Sequence, residues 1–272
     1  MHLNFALNHM TVARQGYRDV IELASELGCV GIEFRNDLAG PLFEGDVPEV
    51  VAKLTSDAGL RILGLSEVKM FNVWSADKAQ EAEALMRIAQ AIGAESISLI
   101  PRCDGHGCGE VERQSNLRTA LTELLPMLDD FNLTGLIEPL GFAHSSLRLK
   151  SEAVAAVSEI GGESRFKLVH DTFHHYLAEE EDLFPNATGI VHVSGVEDRS
   201  LSKNDIGDEH RVLVGENDIL GNVEQVSALV AQGYRGPVSF EVFSPDIHAL
   251  EAPRPALEAS MSHLTQSVAA SL

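Results

Sequence analysis

The chain is poor in cysteine, in positive charge and in long apolar runs, and each shortage closes off a class of protein. Three cysteines in 272 residues (Cys29, Cys103 and Cys108) are too few and too unevenly placed for a disulfide framework, which fits a reducing compartment. No apolar run approaches the roughly 18–20 residues of a membrane span. The opening MHLNFALNHM has no basic stretch leading into a long apolar one, so a cytoplasmic location is expected. Twenty basic residues against 41 acidic leave a formal charge of −21. That field repels nucleic-acid phosphates and provides no basic footprint. No Pro/Ser-rich linker divides residues 1–272, so a single domain is expected. No Gly-rich phosphate fingerprint follows the first strand, and GHGCG (105–109) lacks the strand–glycine–helix register that such a loop needs.

What the chain does have is alternation. With 44% hydrophobic residues it can bury a large core. Short β-type runs are legible at 3–8, 29–34, 61–68, 95–101, 133–139, 166–171, 189–195 and 237–243. Amphipathic helical stretches lie between them, at 16–28, 47–58, 77–92, 114–130, 150–160, 175–183, 222–232 and 254–270. The strands are apolar nearly throughout, as expected when both faces of a sheet are covered. Eight such pairs predict an α/β fold, a (β/α)8 TIM barrel, ahead of a doubly wound open sheet.

In that architecture the chemistry gathers at the C-terminal ends of the strands. Those ends offer Glu33, Glu67, Glu138, Asp171, His192 and Glu241. Buried charges are costly unless they are paired or bind a metal. Four of these, Glu138, Asp171, His192 and Glu241, combine three carboxylates with one imidazole, a donor set for a divalent ion. Mn²⁺ is the first candidate, with Zn²⁺, Mg²⁺ and Co²⁺ as alternatives. No thiol belongs to the set, which argues against a closed structural zinc site. The run LVHDTFHHYLAEEE (168–181) divides by position. His170 alternates with Asp171 and points to the helix layer as a satisfied core histidine. His174 lies in the loop over the barrel mouth within reach of a substrate. His175 is expected to face solvent, with Glu179–Asp182 on a solvated helix face. The Cys103–Cys108 pair around His106 matches no zinc spacing and reads as a plain loop.

Several of these segments resemble a known family. HDTFHHYLAEE (170–180), IEPLG (137–141), IVHVSGVEDR (190–199) and VSFEVFSP (238–245) are similar to motifs of the xylose isomerase-like TIM barrel family of sugar isomerases and epimerases. Within it, the likeness is strongest to the 2-keto-myo-inositol (inosose) isomerases of inositol catabolism. It runs through IELASELGCVGIEFR (21–35), DEHRVLVGENDI (208–219) and ALVAQGYRGPVSFEVFSPDIHALEA (228–252).

The resemblance implies a metal-dependent isomerase or epimerase acting on a small keto-polyol. Ketose 3-epimerase, hydroxypyruvate isomerase-like enzyme, inosose dehydratase and an inactive sugar-binding barrel are the alternatives. It implies Glu138, Asp171, His192 and Glu241 as metal ligands, and Glu138 and Glu241 as the acid–base pair for proton transfer through an enediolate. His174, Arg211 and Asn8 are implied as substrate contacts. No nucleic-acid or membrane partner is expected, and a homo-oligomer is compatible with the sequence. The chain departs from the family's P-G-x-G loop at Val214-Gly215-Glu216-Asn217, where Asn217 can take the left-handed turn that glycine would adopt.

Overall fold

The eight apolar runs become eight parallel strands because each has helices on one side and the other strands' side chains on the other. The computed structural model describes residues 2–272. Its strands are β1 (Asn4–Asn8), β2 (Gly31–Arg35), β3 (Arg61–Lys69), β4 (Ser96–Ile100), β5 (Thr134–Ile137), β6 (Phe166–Asp171), β7 (Thr188–Val193) and β8 (Pro237–Phe240). They pair in chain order, and β1 pairs with β8 to close the barrel. The TIM barrel read from the sequence is the fold observed.

The surrounding helices are α1 (Tyr17–Glu26), α2 (Pro48–Asp57), α3 (Ala76–Ile92), α4 (Glu110–Phe131), α5 (Lys150–Glu159), α6 (Thr172–Ala178), α7 (Asn222–Ala231), a short α8 (Pro245–His248) and α9 (Arg254–Ser271). None is long and apolar enough to cross a membrane. The longest, α4, buries Leu117, Leu121, Leu124 and Leu128 along one stripe. Each such leucine contributes about 1.5–3 kcal/mol of hydrophobic burial. The helix starts four residues earlier than expected, with Glu110 and Glu112 in its first turn, where carboxylates suit the positive end of the helix dipole.

Two expectations around α6 are corrected. The helix runs over Thr172–Ala178 rather than 175–183, because Asp171 caps it: Oδ1 accepts from the Phe173 and His174 amides at 2.7 and 3.2 Å. Glu179–Asp182 therefore lie beyond the helix. Glu180 is not simply solvated, since its two oxygens accept from the Lys150 and Ser151 amides at the start of α5. His175 does not face solvent either. It is half-buried with its ring 4.8 Å from that of His170.

Strand periodicity sorts the interior. Ala6, Leu136, Val169 and Ile190 belong to a small buried cluster apart from the main core. Two residues further along each chain come Asn8, Glu138, Asp171 and His192, which share the inward direction. Thus the apolar plug of the lower barrel changes to polar groups at its upper end. The opposite parity sends His170 into the helix layer, as expected. There Lys150 Nζ donates to its Nδ1 and its Nε2 meets Gln225 Oε1, both at 2.9 Å.

Residues 196–211 form the longest excursion above the barrel. Its neck is tied by an antiparallel bridge in which Gly195 and Val212 exchange backbone hydrogen bonds of 2.7 and 2.8 Å. The following turn differs from expectation, because neither Gly215 nor Asn217 has a positive φ. Asp218 holds this segment instead. Its carboxylate accepts from the amides of Val196, Leu220 and Asn222 and from the Asn222 side chain.

Candidate metal centre

Four strand ends deliver their side chains to one point. Glu138 and Glu241 follow β5 and β8 directly, Asp171 ends β6, and His192 is the next-to-last residue of β7. One ligand atom from each lies within 4.8 Å of all the others, and all four residues are buried. Among the described residues this is the one such cluster of His, Cys, Asp and Glu side chains. Cys103 and Cys108 are free thiols outside it, in the loop expected from their spacing.

His192 shows what the cluster is built for. Its Nε2 meets Glu33 Oε2 at 3.0 Å, and Ser239 Oγ donates to Glu33 Oε1 at 2.6 Å. A carboxylate accepts only, so Nε2 carries a proton, and Nδ1 is the ring atom turned to the cluster. That Nδ1 is fully buried and has no hydrogen-bond partner. It faces Glu241 Oε2 at 3.2 Å, Glu138 Oε1 at 3.8 Å and Asp171 Oδ2 at 4.0 Å. Although burial opposes it, Glu33 and Glu241 raise His192 well above its ordinary value. A buried nitrogen without a hydrogen-bond partner, surrounded by three carboxylate oxygens, fits a divalent cation in the place of a second ring proton, and the Glu33–His192 pair is the outer support usual for a histidine ligand.

The two glutamates are electrostatically unlike. Burial, reinforced by the neighbouring Glu241 charge, pushes Glu138 up to about 7. Burial acts on Glu241 in the same sense, but His192, Arg211 and Arg35 outweigh it and hold Glu241 well below the ordinary carboxylate range. Arg211, buried in the cavity wall, donates through Nη2 to Asp171 Oδ2 at 2.6 Å and Glu241 Oε2 at 3.1 Å, while its Nε donates to Ser194. His174 stands 4.0 Å from Glu138, with its ring edge-on to Phe142 and Phe173. Burial lowers its pKa, so it is neutral at physiological pH, and its buried Nδ1 has no partner.

Above the cluster opens a cavity of about 510 Å³, bounded by Glu138, His174, Arg211 and Glu241 below and by Phe142, His144 and Phe243 around the mouth. His174 and Arg211 both line this cavity. Asn8 is placed differently. It is wholly buried, its Nδ2 donates to Glu241 Oε1 at 3.2 Å, and its Oδ1 accepts from the Met10 amide.

Two parts of the site were not assigned roles from the sequence. Glu33 was visible as a strand-end acid, but its partnership with His192 spans 159 positions. Arg35, the last residue of β2, donates to Glu241 Oε1 at 2.8 Å. Its only sequence signal was its place at a strand's C-terminal end.

Comparisons with known proteins bear on the fold and the family. An inosose isomerase from Halalkalibacterium halodurans is 25% identical over 178 residues, covering 63% of this chain and 61% of that protein. The match thus spans less than two thirds of that relative's length. A xylose isomerase domain containing protein from Salmonella typhimurium superposes with a TM-score of 0.88 at 30% identity, over 99% of this chain and 98% of the other. The IolI protein, solved with a bound zinc atom, superposes with a TM-score of 0.87 over 99% of both chains; at 18% identity that likeness concerns the fold. The family model described as xylose isomerase-like TIM barrel matches residues 21–267. The chain belongs to the xylose isomerase-like TIM barrel family.

Proposed function

We propose that the protein is a divalent-metal-dependent isomerase of a keto-polyol, with 2-keto-myo-inositol, an inosose, as its substrate. The observation that carries this reading is the buried His192 Nδ1, unpartnered and aimed at three carboxylate oxygens. Glu138, Asp171, His192 and Glu241 would hold the ion, and an oxygen-rich donor set with one imidazole suits Mn²⁺ as well as the Zn²⁺ seen in IolI. A bound divalent ion supplies Lewis-acid stabilisation to oxygens that gain charge as an α-proton leaves.

Proton transfer is assigned to the residues by their environments. Glu138 lacks the arginine partners that hold Glu241 and is the carboxylate placed to accept a proton and give it back. It takes the proton from the carbon bearing a hydroxyl next to the ketone, leaving an enediolate, and returns it to the former carbonyl carbon, while the hydroxyl proton passes to the former carbonyl oxygen. The carbonyl thereby moves one position. Glu241 shares the frame of the reacting carbons but remains anionic, held by its cationic neighbours. Arg211 and the neutral His174 hydrogen-bond substrate oxygens, and Phe142 and Phe243 narrow the approach of water.

An uncharged substrate fits the cavity wall. Seven carboxylates line it against three cations, Arg35, Lys69 and Arg211, and the two arginines are already ion-paired. A substrate bearing a carboxylate or phosphate would enter against that field. This disfavours a hydroxypyruvate isomerase-like reaction, and it agrees with the inosose isomerase relative. The unpaired cysteines fit a cytoplasmic enzyme.

The test is proton NMR in D₂O, with Mn²⁺ or Zn²⁺, on a panel of inososes and ketohexoses. The reading expects deuterium at the carbon beside the carbonyl and a product with the carbonyl shifted. Inversion at one carbon instead indicates an epimerase, and water loss a dehydratase. No exchange into any substrate, with metal bound, leaves a sugar-binding barrel and overturns the assignment.

A further inference from the structure

Arg35 is buried, yet it reaches both the protein surface and the metal centre. Its Nε and Nη2 grip the two oxygens of Asp37 at 2.8 and 2.7 Å. Asp37 is two residues on, at the surface beyond β2, so the grip is local and fixes the plane of the guanidinium. The remaining Nη1 then points inward and donates to Glu241 Oε1 at 2.8 Å. Asn8 Nδ2 donates to the same oxygen at 3.2 Å. The other oxygen, Oε2, lies 3.2 Å from His192 Nδ1 and 3.1 Å from Arg211 Nη2, so it alone is turned to the cluster.

Glu138 is held by nothing comparable. Its nearest charged or chargeable neighbours are His192 Nδ1 at 3.8 Å and His174 Nε2 at 4.0 Å, neither within hydrogen-bonding distance. One glutamate of the site is clamped on both oxygens, and the other makes no side-chain hydrogen bond to the described residues.

We propose that Arg35 is a positioning residue, which by engaging Oε1 commits Glu241 to face the cluster with a single oxygen and confines carboxylate motion to Glu138. The inference rests on the metal-centre reading above and adds to it a division between a fixed and a mobile carboxylate. Phe243 supports the arrangement, with the guanidinium carbon 5.8 Å from its ring centroid. A salt bridge alone would not need this form. The bidentate grip on Asp37 costs nothing in length but removes the guanidinium's freedom to rotate, as a lysine could not.

The test uses the full chain loaded with Co²⁺, whose visible absorption reports coordination number and geometry. Arg35→Met keeps the apolar stem and leaves Oε1 with the Asn8 amide as its one remaining donor. The expected result is one bound Co²⁺ with weaker visible bands, as Glu241 offers a second oxygen, and kcat about 10–100-fold lower at little-changed KM. Asp37→Ala, a surface change that spares the core, should shift the spectrum in the same direction by less, and covers the case in which Arg35→Met does not fold. Arg35→Lys retains the charge without the fork and should restore the wild-type spectrum incompletely. If Asp37→Ala and whichever Arg35 variants fold show the wild-type spectrum, the positioning role is overturned while the metal centre stands. If the wild-type protein binds no Co²⁺, the metal reading fails and the role of Arg35 falls with it.

Discussion

Replacing Glu33 with glutamine removes one charge from the site and leaves its shape almost unchanged. Glu33 is fully buried, with Oε2 on His192 Nε2 at 3.0 Å and Oε1 accepting from Ser239 at 2.6 Å. A glutamine can turn its carbonyl to the histidine N–H and its amide to the serine oxygen, so both contacts are kept, though the Ser239 hydroxyl gives up its acceptor. What is lost is the negative charge that makes His192 Nδ1 a stronger donor. Outer-shell changes of this kind cost about 10–100-fold in metal affinity, or about 1.4–2.7 kcal/mol. Folding stability should fall by about 1 kcal/mol, because the His192 N–H keeps its acceptor and only the Ser239 hydroxyl loses one. Glu33→Ala differs sharply: it strands the Nε2–H and the Ser239 hydroxyl in a dry interior, at about 1–3 kcal/mol for each. Mn²⁺ titration against a competing chelator, with thermal unfolding of the apo-proteins, separates the two effects. A Glu33→Gln protein with wild-type Mn²⁺ affinity would refute the assignment of Nδ1 as a metal ligand supported through Glu33.

Other consequences are open to direct measurement. Burial, helped by Lys150, lowers His175 from its ordinary 6.5 to about 4. Between those values the unfolded chain binds a proton that the folded chain does not, so stability falls as pH drops through this window. Urea unfolding at pH 7 and 4.5 should show His175→Gln losing about 2 kcal/mol less than wild type; equal losses would contradict the burial argument. Gly141 lies against α6, where an added Cβ would collide with the His174 carbonyl and approach Leu177 Cβ to 2.7 Å. Gly141→Ala should therefore cost about 1–3 kcal/mol and reduce kcat through displacement of His174, checked by thermal unfolding and steady-state kinetics. Asp218→Ala strips the support of three backbone amides beside the 196–211 excursion. A loss of about 2–3 kcal/mol and faster amide hydrogen exchange at Val196, Leu220 and Asn222 are expected.

The barrel was legible because its signal is local and repeated. FKLVHD spans β6 with the same limits in sequence and structure, and the apolar run reflects burial on both faces. The four clustered residues were legible for a related reason: an ionisable group closing an apolar strand is costly unless something pairs with it. Where one side chain had two duties, the reading fell short. Asp171 was visible as a strand-end acid, but its capping of α6 was not, and the helix was placed three residues late. The sequence alone sets His175 toward solvent, whereas the packing of α6 turns it onto His170. Asn217 was given a glycine's turn by analogy, while Asp218 anchors the segment through hydrogen bonds that no short motif announces. Arg35 and Glu33 act across 206 and 159 positions, so only closure of the barrel brings them to Glu241 and His192.

The proposed chemistry requires the four residues to hold a metal ion. Asp171 provides the cleanest variant, because its Oδ1 caps α6 while Oδ2 faces His192 and Arg211. Asparagine keeps the cap and loses the anionic oxygen. Titration of the metal-stripped wild type with Mn²⁺ should give one equivalent bound per chain, and Asp171→Asn, equally folded by circular dichroism, should bind it far more weakly. A wild-type protein that takes up no divalent ion, or an Asp171→Asn protein that binds it as tightly as the wild type, would contradict the account.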